Sequence, residues 1–361
     1  MPLDHYITLG RSGLRVSPFC LGAMTFGEEW GWGADEKQSA KVIARYTDQG
    51  GNFIDTANVY TKGHSEKIVG DCIGKHPGKR SRAVIATKFF GSMRAGDPNS
   101  GGAGRKAVMA ACEQSLRRLQ TDYIDLYWMH CWDRFTPIDE TMRTLDDLVS
   151  SGKIRYIGFS DTPAWKVVEA QMLARIRGWA PLSALQIEYS LLERTVEGSL
   201  IPMAREFGLG VTPWSPLKSG ALSGKFTRAN KGKVDAKRGE WVTSNLTEKT
   251  YDLIDLLIKI GKVHKASPAQ IALAWVQGQP GVASTIIGAR TVEQLDDNLK
   301  GLDLKLESDE LESLAKLTEP SLEFPAGFIQ RAGPFMAGGT TINGQSIPAN
   351  PLAPKDDSEV F

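Results

Sequence analysis

Eight short apolar runs, each followed by a segment of helical spacing, constrain this chain more than any other feature. They are Phe19-Cys20-Leu21-Gly22, Asn52 to Asp55, Ala83 to Lys88, Tyr123 to His130, Lys153 to Ser160, Leu185 to Tyr189, Gly210 to Trp214 and Ser284 to Ile287. Apolar runs of this length, bounded by Gly, Pro or polar turns, read as buried strands. Between them the apolar period changes. Asp35 to Gln49 carries Val42, Ile43 and Tyr46 on one face, and the segment after Gly104 carries Val108, Ala111, Cys112, Ser115, Leu116 and Leu119. Further helices are expected over Ser65 to Ile73 and Leu200 to Phe207, and after Thr136-Pro137 and Thr162-Pro163. Two more open at the capping box Ser267-Pro268-Ala269-Gln270 and at Thr291, the last closing near Leu299. Tyr6 to Leu9 and Leu14 to Val16, joined by a Gly10/Gly13 turn, predict a small β-hairpin at the start. Alternating strands and helices imply an α/β fold with parallel strands, and eight such units close into a (β/α)8 TIM barrel. An open, doubly wound sheet is the alternative. The barrel is preferred because no GxGxxG follows the first strand.

The 361 residues suffice for a large core, and one barrel domain is expected over 1–361, with 319–361 as an irregular C-terminal extension. Ser215 to Leu246 falls outside the repeat; a Gly-, Ser- and Lys-rich loop of that length is a lid, a binding element or a disordered stretch. The Gly- and Pro-rich tail, with Phe324, Phe328 and Phe335, leaves three options open: a wrap over the barrel mouth, a bridge to a partner subunit, or a mobile end. Hydrophobic residues at 41%, charged residues at 24% and a net charge of +1 are those of a soluble globular protein with no global field toward nucleic acid or membrane. Cys20, Cys72, Cys112 and Cys131 show no metal spacing, which favours reduced thiols. With no leader-like pattern after Met1 and no run long enough to span a bilayer, a cytoplasmic location is expected. Oligomeric state is not legible.

On a barrel the carboxyl ends of the strands face one cavity. Those ends carry Gly22, Asp55, Lys88, His130, Ser160, Gln186, Trp214 and Gly288, with Tyr60 shortly after Asp55. An isolated Tyr has a pKa near ~10. A neighbouring ammonium favours the phenolate and is expected to lower that value, while Asp55 holds Lys88 charged and His130 orients a carbonyl oxygen. No Gly-x-Ser-x-Gly elbow competes for the chemistry. Proton transfer to a carbonyl needs a hydride to complete it, so a nicotinamide cofactor is implied.

Asp55-Thr56-Ala57 with Tyr60, Thr87-Lys88, and Met129-His130 followed by Asp133 resemble the catalytic motifs of the aldo-keto reductase family, and the likeness runs from Leu9 to about Leu317. The resemblance implies Tyr60 as general acid, Asp55 and Lys88 as its tuning pair, and His130 as the carbonyl-orienting residue. It also implies cofactor contacts. Gly22, Met24 and Asp55 stand at the first strand ends. Ser160, Asp161 (Asn in many relatives) and Gln186 stand at the carboxamide, and Trp214 at the nicotinamide ring. Ser215-Pro216-Leu217, Gly220 and Leu222-Ser223-Gly224-Lys225 resemble the pyrophosphate loop, whose small residues let backbone approach phosphates. Ile287, Gly288, Arg290, Gln294, Asp297 and Asn298 resemble the adenine end. Better-known members have Lys at the Gly288 position and Arg at the Gln294 position. Thr291 and Gln294 also form a capping box, yet Arg290 at a helix start suits a 2′-phosphate.

NADPH (NADP+) is therefore the expected cofactor, and the departures leave room for NADH. The expected function is NADP-dependent, reversible reduction of aldehydes or ketones, with a small-molecule carbonyl substrate. The alternative is a nucleotide-binding regulatory subunit resembling the potassium-channel β subunits, and a Schiff-base lyase through Lys88 comes third. Trp30, Trp32, Phe90 and Trp132, with tail residues Phe324 and Phe328, are candidates for an apolar substrate pocket.

Overall fold

The structure, a computed structural model, describes residues 1–234 and 239–360. Strands β1 (Ile7–Thr8) and β2 (Arg15–Val16) form the expected antiparallel hairpin. Eight parallel strands follow: β3 (Phe19–Gly22), β4 (Phe53–Asp55), β5 (Val84–Phe89), β6 (Ile124–Met129), β7 (Ile154–Ser160), β8 (Leu182–Glu188), β9 (Gly210–Trp214) and β10 (Thr285–Gly288). Their order is β10-β3-β4-β5-β6-β7-β8-β9. Val211 joins the two ends of that order, donating to Gly281 O at 3.0 Å and accepting from Ala283 N at 2.8 Å. The sheet thus curls into a barrel. Gly288 pairs with Gly22 and Gly22 with Asp55, so these carboxyl ends stand level.

The core has two parts. Inside the barrel, Cys20, Phe53, Val84, Ala86, Leu126, Trp128 and Ala184 pack under Leu9 and Val16 of the hairpin. The hairpin seals the amino-terminal end: Arg11 N donates to Gly208 O at 2.7 Å, and a Cβ on Gly10 would lie 2.5 Å from Gly208 O. Chemistry is left to the opposite mouth. The larger core lies between strands and helices, and Tyr46 organises one sector of it. Its hydroxyl is fully buried, 2.6 Å from Phe19 O and 2.9 Å from Phe53 O, so the helix Glu36–Asp48 is pinned to both β3 and β4.

Two expectations need correction. A helix over Glu248–His264 lies between the long loop and Ser267, where none was anticipated. Its signals are plain in retrospect: Thr247 caps Thr250 N, and Tyr251, Ile254, Leu257 and Gly261 share one buried face. The tail aromatics are not buried in an apolar pocket. Phe324 is 86% exposed and Phe328 57%, and they contact each other at 6.4 Å. The tail instead holds two short helices, Ala326–Arg331 and Gly333–Ala337, and a hairpin pairing Thr341–Ile342 with Gln345–Ser346. Within the long loop, Ala221, Phe226 and Val242 form a small apolar cluster, and a short helix covers Glu240–Thr243. Its residues 235–238 lie outside the described residues. Among the described residues no helix is long and apolar enough to cross a membrane.

Tyr46→Phe removes a fully buried hydroxyl whose single proton serves the carbonyls of Phe19 and Phe53. It is expected to cost about 1–3 kcal/mol in urea denaturation, with the strand-end cluster intact.

Candidate active site

Lys88, in β5, is fully buried, and its ammonium has three protons to place. They go to Asp55 Oδ1 at the tip of β4, to Thr56 O at 2.9 Å and to Tyr60 Oη at 3.1 Å. The other Asp55 oxygen accepts from Gln186 Nε2 at 3.1 Å, reaching across from β8. Burial alone would discharge such a lysine. Asp55 and Tyr60 outweigh it and hold Lys88 above its ordinary range, so the ion pair stays formed.

Because Lys88 donates into the phenol oxygen, the proton of Tyr60 is left to point elsewhere. The ammonium also lies 4.7 Å from the Tyr60 ring centroid. The expected lowering of the Tyr60 pKa is not what the geometry gives. Burial pushes it up, and the carboxylates of Asp55 and Asp161 add to that against the pull of Lys88. The phenol is therefore held in its protonated, donating form. His130 follows β6 and meets the Tyr60 ring edge-on, centroids 5.7 Å apart. Burial, with help from the Lys88 charge, pushes its pKa down to about 3, so a neutral imidazole faces the cleft at neutral pH.

The backbone presenting Tyr60 is strained. Thr61 (φ 46°), Lys62 (φ 58°) and Gly63 (φ 91°) all lie in the left-handed region, an uncommon state for a β-branched residue. Side chains hold it there. Thr61 Oγ1 donates to Phe26 O at 2.8 Å and accepts from Ser65 N at 3.0 Å. Just beyond, buried Glu66 accepts from Thr87 Oγ1 at 2.5 Å and from Arg118 Nε at 2.6 Å, tying this turn to β5 and to the helix Arg105–Leu119. Sequence reading did not single out Thr61, His64 or Glu66. A buried carboxylate one helical turn past a strand-tip motif is a signal only once its Arg partner is in view.

The remaining residues separate by position. Trp30 meets Tyr60 edge-on, centroids 6.1 Å apart, and lies tilted at 42° to Trp32 at 5.7 Å. Phe90 and Trp132 are half-buried after β5 and β6, with no ring contact to Tyr60 or His130 among the described residues. Ser160 ends β7, buried, and its Oγ has no partner among the described residues. Asp161 (φ 42°) accepts from Trp214 Nε1 at 3.0 Å. It is open to the cleft yet ringed by protein, which pushes its carboxyl up to about 6. Gly22 has no room for a side chain, since a Cβ would fall 2.7 Å from Ile286 Cγ2; Met24 is half-buried beside it.

In the loop after β9, Ser215, Lys218, Ser219 and Gly220 take left-handed conformations, and Ser219 N is held by Ser215 Oγ at 2.9 Å. Pro216 and Leu222 are buried, Leu217 and Gly224 half-buried, and Lys225 is exposed. At the adenine end the structure narrows the candidates. The Ile287 side chain belongs to the core. Asp297 accepts from Gln270 Nε2 at 2.7 Å and Asn298 donates to Gly288 O at 3.2 Å, so both brace the scaffold. Gln294 folds back to accept from Arg290 N at 2.9 Å. Arg290 donates to Trp32 O at 3.3 Å and forms no ion pair among the described residues.

A parallel barrel that gathers Asp, Lys, Tyr and His at its strand ends is built for proton transfer to oxygen, the machinery of a carbonyl oxidoreductase. Residues 18–319 match the aldo/keto reductase family, and the chain belongs to that family. A Bacillus subtilis (strain 168) protein named an uncharacterized oxidoreductase is 40% identical, over 86% of this chain and 94% of its own. An aryl-alcohol dehydrogenase of Pestalotiopsis microspora is 36% identical, over 91% of this chain and 86% of its own. A norsolorinic acid reductase of Aspergillus flavus is 34% identical, over 90% and 84% respectively.

Replacing Lys88 by Met strands the Asp55 carboxylate in the interior and is expected to destabilise the fold by about 3–5 kcal/mol. Adding Asp55→Asn should restore a large part of that loss. Urea denaturation of the two single variants and the double variant measures the coupling.

Proposed function

We propose that this protein is an NADPH-dependent reductase of aryl aldehydes or ketones, working reversibly on the corresponding alcohols. The observation that carries this reading is the Lys88–Tyr60 contact at 3.1 Å inside a paired, buried network. A bound nicotinamide supplies the hydride. Tyr60 delivers its proton to the substrate oxygen as charge builds there, and Lys88 stabilises the phenolate that remains. Neutral His130 donates one ring N–H to the same oxygen and orients the carbonyl. Lys88, held fully charged by Asp55, is a poor amine nucleophile, which disfavours the Schiff-base alternative.

The residues present fit a dinucleotide. The unpartnered Ser160 Oγ and the half-buried face of Trp214 suit the nicotinamide end. Gly220 (φ 105°) has open space where a Cβ would stand, which suits close backbone approach to phosphates. Arg290, a guanidinium without a carboxylate among the described residues, suits a 2′-phosphate and favours NADPH over NADH. The aryl preference rests on Trp30 beside Tyr60 and Trp32 beside Trp30, together with the names of the relatives.

Tyr60→Phe should lower turnover of aromatic aldehydes by about 10²–10⁴-fold while leaving NADPH binding, followed by fluorescence titration, nearly unchanged. Activity like the parent's in that variant overturns the role of Tyr60, and silence of the parent enzyme across an aldehyde panel favours a regulatory nucleotide-binding role. The pH profile follows from the two shifts. With His130 neutral above about 3, the reductive rate constant should show no His130 step between pH 5 and 8. With Tyr60 held protonated, alcohol oxidation, which needs the phenolate, should gain as pH rises while reduction does not.

A further inference from the structure

The segment Thr25 to Gly33 brings Trp30 and Trp32 to the Tyr60 side of the mouth, and side chains fasten it to the strained turn. Its base is closed by backbone: Ala34 N donates to Thr25 O at 2.7 Å and Gly27 N to Ala34 O at 2.8 Å. Its tip is held by His64, the first residue after the left-handed turn. One ring nitrogen, Nδ1, contacts Glu29 Oε1 on the Trp30 segment; the other, Nε2, lies 2.8 Å from Glu36 Oε1 at the start of the helix Glu36–Asp48. Ionised carboxylates only accept, so both contacts are hydrogen bonds only when the imidazole carries both protons. A neutral ring keeps one and turns a lone pair on the other.

Two carboxylates meet this imidazole, and two lysines act on those carboxylates. Glu29 and Glu36 face it, Lys62 on the same turn lies beside Glu29, and Lys67 farther along its helix acts on Glu36. Burial pulls His64 down, but Glu36 and Glu29 together hold it above its ordinary value. A raised folded pKa places the stabilisation at low and neutral pH and removes it as pH climbs through that folded value.

We propose that His64 is a positioning residue for the substrate: as the imidazolium it clamps the Glu29 segment and the Glu36 helix start to the Tyr60 turn, fixing the Trp30–Trp32 wall against the reacting end of a flat aryl carbonyl compound. Loss of the His64 proton loosens that wall without touching Lys88, Asp55 or His130. The proposal rests on the aryl reductase reading above.

The full-length enzyme with NADPH and benzaldehyde as probe tests it between pH 6 and 8.5, alongside His64→Gln and Glu29→Gln. Two partly exposed ion pairs predict a KM about three- to fivefold higher at pH 8.5 than at pH 6, with kcat unmoved by the clamp. Both variants should show the raised KM at all pH values, and His64→Lys, charged throughout, should recover part of the low KM. Hydrogen exchange of the amides in 28–33, corrected for intrinsic pH dependence, should lose protection at high pH in the parent and be flat in His64→Gln. Parent-like KM and exchange profiles in His64→Gln overturn the clamp. If benzaldehyde and related aldehydes are not reduced at all, the aryl reductase reading fails, and the exchange profile alone then decides whether the clamp exists.

Discussion

A fully buried ammonium is the constraint on which this structure turns. Lys88 sits in β5 with no solvent contact, and a charge so placed persists only if each of its protons has a partner. Those partners are contributed by different parts of the chain: a carboxylate on the tip of β4, a carbonyl just after it, and a phenol presented by the next turn. Gln186, on β8 and 131 residues from Asp55 in the chain, completes the set by donating to the second carboxylate oxygen. The pair therefore asks for a closed barrel, because in an open sheet β8 would lie too far from β4 to supply that amide. Stability and function draw on the same atoms here. An enzyme that needs a charged lysine beside a phenol must also solve the problem of burying it.

Much of this was legible in the sequence because it is local. Strands β3 to β10 are short apolar runs closed by Gly, Pro or polar residues, and the residue at each tip can be read by position. What could not be read was the balance of opposing forces at Tyr60. A charged neighbour pulls the phenol pKa down, and that neighbour is visible in the sequence. The burial that pushes it up, and the approach of Asp161 from the end of β7, exist only once the chain is folded. Gln186 shows the same limit: its place at a strand tip was evident, but its bond to Asp55 was not. The missed helix Glu248–His264 is a different failure, since Thr247 and the spacing of Tyr251, Ile254 and Leu257 announce it locally. The tail belongs to a third kind. Nothing in a Gly- and Pro-rich sequence says where Phe324 and Phe328 point, and they point to solvent.

Strain marks where geometry was selected over local comfort. Three consecutive residues after Tyr60 occupy the left-handed region, at a cost of order 1–3 kcal/mol for each non-glycine residue. Relaxing the turn would swing the phenol away from Lys88 and leave an ammonium proton without its acceptor. The surrounding structure over-determines the strained state from three sides: Thr61 to the Trp30 segment, Glu66 to β5 and the helix behind it, and His64 to two carboxylates. Glu66 and Thr61 act from buried positions, whereas His64 is half-buried and titratable. The turn thus keeps its buried ties whatever the state of His64, and the half-buried tie is the one that carries the aromatic wall.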